Sequence, residues 1–168
     1  GDDKFEFIQS IISNDINILK KNVSIYSSLL SPHGKFLSDF FISIKKNFFF
    51  IESHKANIPE LLNKLSLYKI KSKVEITVNE KINIFLMNNN EASKINKELK
   101  SEISLSFIDP RFGNFSRVYT EKNINNIFSK FSMNKISLKS FENLRLKNFI
   151  PNFNVDCKKD KSLLLELR

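Results

Sequence analysis

Three consecutive apolar, β-branched and aromatic stretches decide the fold class: Val23-Ser24-Ile25-Tyr26-Ser27-Ser28-Leu29-Leu30, then Phe36-Leu37-Ser38-Asp39-Phe40-Phe41-Ile42-Ser43-Ile44, then Phe48-Phe49-Phe50-Ile51. Ser31-Pro32-His33-Gly34-Lys35 separates the first two, and Lys45-Lys46-Asn47 separates the second from the third. Pro and Gly in a short link between strand-like runs are turn chemistry, with Gly34 supplying positive φ and His33 only turn work. Links this short join antiparallel neighbours, so residues 23–51 read as a three-stranded meander. Strict alternation places Asp39 with Leu37 and Phe41 on one face, and Ser38 with Phe36 and Phe40 on the other.

Helices flank this meander. Before it, Phe5, Ile8, Ile11 and Ile12 recur at helical spacing behind Asp2 or Asp3 as cap, until Ser13-Asn14-Asp15 interrupts. After it, Ser53 is expected to cap a helix reaching about Leu67, with Ile58, Leu61, Leu62 and Leu65 on one face and Pro59 in the first turn. Lys73 to Val78 and Ile82 to Met87 alternate as if they formed a hairpin around Asn79-Glu80-Lys81. Glu91 to Lys100 reads as a helix, Ile103 to Phe107 and Ser116 to Thr120 as strands around Asp109-Pro110-Arg111, and Ile124 to Phe131 and Leu138 to Asn148 as two further helices. Strands joined by short turns and interleaved with helices predict an α+β fold, antiparallel sheets with helices packed on them. The apolar run Leu163-Leu164-Leu165-Glu166-Leu167 reads as an edge awaiting further chain.

Composition limits the function classes. The chain has 168 residues, 41% hydrophobic and 27% charged, which is the balance of a globular domain and not of a disordered one. No run approaches the roughly 20 apolar residues of a membrane span, and Gly1-Asp2-Asp3-Lys4 lacks the basic start of a secretory signal, so a cytoplasmic protein with no membrane partner is expected. The formal charge is +9, yet Lys outnumbers Arg 23 to 4, and Lys, Asn, Ile and Phe fill about half the chain. That pattern follows A/T-rich codons. The lysines are scattered over polar faces, whereas nucleic-acid sites favour clustered Arg. A solvated surface is the simpler reading; a polyanion site, such as one for a polyglutamylated cofactor, is the other.

Several chemistries are excluded by residue supply. The glycines stand alone at positions 1, 34 and 113, so no phosphate-cradling loop exists. One cysteine rules out disulfides and thiolate zinc clusters, and His33 and His54 make a poor metal pair. Asp39 is the exception: a carboxylate among Phe36, Leu37, Phe40 and Phe41 is either an acid at a solvated hairpin edge or the polar anchor of an aromatic-walled slot for a flat, amine-bearing heterocycle. Asp109-Pro110-Arg111 with Arg117 is either a turn with salt bridges or an anion-binding corner. Tyr68, Lys69, Lys71 and Lys73 form either a solvated row or the wall of an anion pocket. Cys157, between Asp156 and Lys158, reads as incidental.

Taken in order, these pieces resemble a known family. Gly1-Asp2-Asp3-Lys4-Phe5 with Phe7-Ile8-Gln9 and Ser13-Asn14-Asp15-Ile16 is similar to the opening pattern G-x-D-A-x-x-F-L-Q-x-x-x-T-N-D-V. Ser28-Leu29-Leu30-Ser31-Pro32-His33-Gly34-Lys35-Phe36-Leu37-Ser38-Asp39-Phe40 resembles A-L-L-T-P-Q-G-K-I-L-x-D-F. Leu61 through Val74 resembles L-L-K-R-L-x-L-Y-K-L-R-A-K-V, and Asp109-Pro110-Arg111 with Arg117 and Tyr119 resembles D-P-R … R-x-Y. These are patterns of the folate-binding YgfZ family, relatives of the glycine-cleavage T-protein, an aminomethyltransferase.

The resemblance implies a ferredoxin-like subdomain of the aminomethyltransferase folate-binding fold over residues 1–120, with 121–168 a helical segment leading onward. It implies tetrahydrofolate as cofactor, iron–sulfur proteins (including tRNA-modifying enzymes) as clients, and a cofactor set of Asp39, Glu52, Tyr68, Lys69, Arg111 and Arg117. Where the T-protein has two adjacent acids this chain has Ser38-Asp39, which favours binding over one-carbon transfer. The family's K-G-C-Y-x-G-Q-E segment is absent, and Asp156-Cys157-Lys158 does not replace it. An aminomethyltransferase and a basic RNA-contacting module are the alternatives.

Overall fold

A computed structural model describes residues 1–19 and 24–164. The chain is α+β, with two small antiparallel sheets and helices. It divides into two compact units: residues 1–78 with 152–168, and residues 79–151.

The first unit is built on the meander the turns predict. Strands β1 (Ser24–Leu30), β2 (Phe36–Lys45) and β3 (Phe48–Glu52) pair in that order, each antiparallel to the next. Val23, expected to open β1, lies outside the described residues. Gly34 adopts φ +75° in the first turn, where its N–H donates to the Ser31 carbonyl at 2.9 Å, and Lys46 takes φ +54° in the second. One face of the sheet carries Ile25, Leu29, Phe40 and Ile42 against Phe7 and Ile8 of α1 (Lys4–Gln9) and Leu61 and Leu65 of α2 (Ile58–Tyr68). Each such side chain, fully buried, contributes about 1.5–3 kcal/mol.

Strict alternation fails at one place. Leu29 faces Ser38 but Leu30 faces Phe36, so β2 carries an extra residue at Leu37. A bulge reverses the faces beyond it. Leu37 therefore joins the core with Phe40 and Ile42, and Phe36 instead stacks its ring on Phe153 at 4.6 Å. The grouping of Asp39 with Leu37 is corrected to Asp39 with Phe41 and Phe36.

Three other local expectations change. Helix α1 ends at Gln9, and Ile12 bridges to Leu29 instead of extending it. Asp3 stands at its N-cap without a side-chain cap bond, because its carboxylate accepts the Lys73 N–H at 2.6 Å. Ser53 does not cap α2 either: its hydroxyl donates to the Asp39 carbonyl at 2.7 Å, and a 3-10 turn (Lys55–Asn57) with His54 accepting from the Ala56 N–H precedes the helix. Residues 73–78 form no strand. Val74 and Ile76 pack on the first core while Lys73, Glu75 and Thr77 stay exposed, so one-sided packing produced the period of two that read as a hairpin arm.

The intended partner, β4 (Asn83–Asn88), pairs instead with β6 (Phe115–Thr120), and β5 (Ile103–Ile108) pairs with β6 on its other side. The sheet order β4-β6-β5 makes β4 and β5 parallel with β6 between them, and α3 (Asn89–Glu98) crosses between them, a split β-α-β arrangement. Asn88, expected only to break the strand, caps α3 by accepting from the Glu91 N–H at 2.9 Å. Ala92, Ile95 and Leu99 pack on Met87 and Val118, with Ile127 of α4 (Ile124–Lys130) completing this second core. Helix α5 (Leu138–Lys147) ends where Arg145, buried, bonds Glu142 through Nε at 2.7 Å and the Ile150 carbonyl through Nη1 at 3.1 Å.

The chain then re-enters the first unit. A single turn, α6 (Phe153–Asp156), is followed by backbone bonds from Asp160 to the Phe36 carbonyl at 2.7 Å and from Phe36 to the Ser162 carbonyl at 3.0 Å, and Leu163 bridges to Lys35. The rest of the terminal apolar run, 165–168, lies outside the described residues. Among the described residues no helix is long and apolar enough to cross a membrane.

Candidate functional site

The second face of the meander is polar and aromatic. The register places Ser28 opposite Asp39, Tyr26 opposite Phe41, Ser24 opposite Ser43, and Phe41 opposite Glu52. Asp39 and Glu52 therefore lie on one face, Glu52 being the cross-strand partner of Phe41, two residues along β2 from Asp39. Ser24, Ser28 and Ser43 are buried there. Tyr26 packs on Phe41 with ring centroids 4.9 Å apart and on Phe153 at 6.1 Å.

Asp39 is the electrostatic centre of this face. The Tyr26 hydroxyl donates to Asp39 Oδ2 at 2.5 Å, a short charge-assisted bond. Oδ1 is enclosed and accepts no hydrogen bond among the described residues. Buried carboxylate oxygens are normally paired, and this one is left without a donor on the face of the sheet that carries the Tyr26 and Phe41 rings, with Phe153 packed against Tyr26. Ser38, next in sequence, sits across from Leu29 on the other side of the strand and adds no second acid.

Tyr26 and Cys157 were missed by sequence reading. Tyr26 lies two residues diagonal from Asp39 across the hairpin, a distance an aromatic side chain spans; counting back from Gly34 would have found it. Cys157, which its sequence neighbours mark as incidental, donates through Sγ to the Phe153 carbonyl at 3.0 Å. Burial pushes the thiol pKa up, and the Asp39 and Asp156 carboxylates push it further. Nothing in the local sequence brings Cys157 to Asp39; the return of residues 152–164 to the first sheet does.

The remaining candidates lie elsewhere. Tyr68 and Lys69 end α2, and Lys69 Nζ reaches the Val74 carbonyl at 3.5 Å. Arg111 and Arg117 belong to the second unit and converge on Asp109, whose exposure is 0%. Arg117 Nη1 binds Oδ2 at 2.7 Å, while the Arg111 backbone N–H donates to Oδ1 at 2.8 Å and its Nε stands 3.5 Å from the same oxygen. The Asp-Pro-Arg corner is thus an internally compensated ion network closing the β5–β6 turn.

No family model matches the chain, and no curated protein matches it.

Proposed function

We propose that the protein is a tetrahydrofolate-binding protein of the YgfZ type, which holds the reduced pterin on the polar face of the meander and supports the maintenance of iron–sulfur enzymes, including tRNA-modifying ones. The observation that carries the binding reading is the half-satisfied Asp39 carboxylate. One oxygen is fixed by Tyr26, and the other accepts no hydrogen bond among the described residues. A pterin presents N–H donors on a flat ring, the complement of that surface. The client role and the choice of tetrahydrofolate rest on the motif resemblance across Gly1 to Tyr119.

Binding without group transfer fits the site better than aminomethyl transfer, because Ser38 turns away and Asp39 has no adjacent acid. In this reading Asp39 orients the ring, Tyr26 holds Asp39 in one rotamer, and the Phe41 and Phe153 rings exclude water. The test is anaerobic isothermal titration of 5,6,7,8-tetrahydrofolate into the chain and into Asp39→Asn. Saturable binding that Asp39→Asn weakens by about tenfold or more supports the reading; equal affinities for the two proteins, or no binding to either, overturn it for this chain.

A further inference from the structure

The polar face of the meander is closed in the folded unit. Ser28 and Phe41 are 2% and 6% exposed there, and Asp39 Oδ1 is enclosed, so a ligand reaches that oxygen only if part of the unit moves. The first hydrophobic core lies on the opposite face of the sheet. Against the polar face the chain lays its returning segment, residues 152–164. Phe153 stacks on Phe36 with ring centroids 4.6 Å apart and packs on Tyr26, the hydrogen-bond partner of Asp39, at 6.1 Å. Cys157, bonded through Sγ to the Phe153 carbonyl, comes close enough for the Asp39 charge to raise its thiol pKa.

This strap is lightly fastened. Of residues 152–164 only Phe153 is buried, and the one stretch of α-helix is the single turn α6. At the start of β2 the Phe36 N–H donates to the Ser162 carbonyl at 3.0 Å, and the Phe36 carbonyl accepts the Asp160 N–H at 2.7 Å. Toward α2, Asn57 Nδ2 donates to Asn154 Oδ1 at 3.1 Å and Lys159 pairs with Glu60, all four through exposed side chains. A segment with one buried side chain and exposed polar links opens at a lower free energy than the sheet beneath it, whose middle strand carries Ile42 at 0% exposure.

We propose that residues 152–164 are a gate for the Asp39 site. The strap lifts from the sheet as one piece, takes the Phe153 ring off Tyr26 and Phe36, and opens Asp39 Oδ1 to a ligand over which it then recloses. That this ligand is a reduced pterin rests on the reading above; the opening itself belongs to the empty protein and is measurable without ligand. The Phe36 N–H is its reporter, because its acceptor is a strap residue and is lost when the strap lifts while β1 and β2 stay paired.

Native-state hydrogen exchange of the unliganded chain in low urea tests the gate. The Phe36 amide is expected to exchange through an opening that depends little on urea, whereas the Ile42 amide exchanges by global unfolding with its full urea dependence. Asn154→Ala/Lys159→Gln, which removes two exposed fastenings, should speed Phe36 exchange by about fivefold. Nitration of Tyr26 by tetranitromethane, located by peptide mass, should rise with it, as should the stopped-flow association rate of tetrahydrofolate. A Phe36 amide that exchanges with the rate and urea dependence of Ile42 would overturn the gate, as would faster Phe36 exchange with Tyr26 nitration unchanged. Tetrahydrofolate binding to neither protein would instead overturn the folate reading, and exchange and nitration would still decide the gate.

Discussion

The Tyr26 hydroxyl donates to Asp39 Oδ2 across the first hairpin at 2.5 Å, although the two residues are not register partners. Tyr26 faces Phe41 and Asp39 faces Ser28, so the bond runs along the diagonal of the sheet. A phenol can span that diagonal; a serine at position 26 could not. The pair is therefore a product of register, and register here is set by the turn at Gly34 and the bulge at Leu37.

Removing the phenol oxygen tests the pair. Tyr26→Phe leaves a partly enclosed carboxylate without its donor and is expected to destabilise the fold by about 1–3 kcal/mol in urea denaturation. In a double-mutant cycle with Asp39→Asn the two effects should be strongly non-additive; additive losses would mean the bond contributes nothing.

Asp109 is expected to be the more severe position. Asp109→Asn leaves Arg111 and Arg117 facing each other around a buried amide, and breaking a buried ion network in this way costs about 3–5 kcal/mol. Thermal denaturation should show a large drop in Tm. Arg111→Gln, whose guanidinium is the more exposed of the two and the more distant from Asp109, should cost less.

Cys157 reports on Asp39 from outside the sheet. Its thiol pKa is raised, so thiolate forms at higher pH than in a free cysteine, and iodoacetamide should react more slowly at about pH 8 than with a cysteine peptide. Asp39→Asn removes one of the negative charges that raise it. The pKa then falls, thiolate increases and alkylation speeds up. Unchanged kinetics would disconnect the thiol from the carboxylate.

Gly34 gives a backbone test. No atom lies within 4 Å of where a Cβ would stand, so Gly34→Ala meets no clash and is opposed only by its φ of +75°. The expected loss is about 1 kcal/mol, read as a lower urea midpoint, with Gly34→Asn closer to the parent because Asn tolerates the left-handed region.

What the sequence made legible was local. The β1–β2 and β2–β3 turns lie within a few residues of the strands they join, so Gly34 and Lys45-Lys46-Asn47 suffice to define the meander. Val74 and Ile76 misled because a strand in a sheet and an extended segment lying on a core have the same period of two. The true partner of β4 is β6, and no nearby residue encodes that pairing. Asp39 was visible as an acid among aromatics, but the bulge that exchanges Leu37 for Phe36 beside it depends on how β1 and β2 meet. The Asp109 turn was legible in Asp-Pro-Arg; its burial was not, since it requires β6 to bring Arg117 back to the same carboxylate.

The first unit is discontinuous: its chain leaves at Val78 and returns at Asn152, whereas residues 79–151 are contiguous. During synthesis the second unit can therefore be complete while the first still lacks Phe153, the ring that stacks on Phe36 and contacts Tyr26. The Asp39 face stays open on the ribosome until the last stretch of this sequence emerges, so a nascent chain arrested after Pro151 would carry a finished insert on an unfinished host.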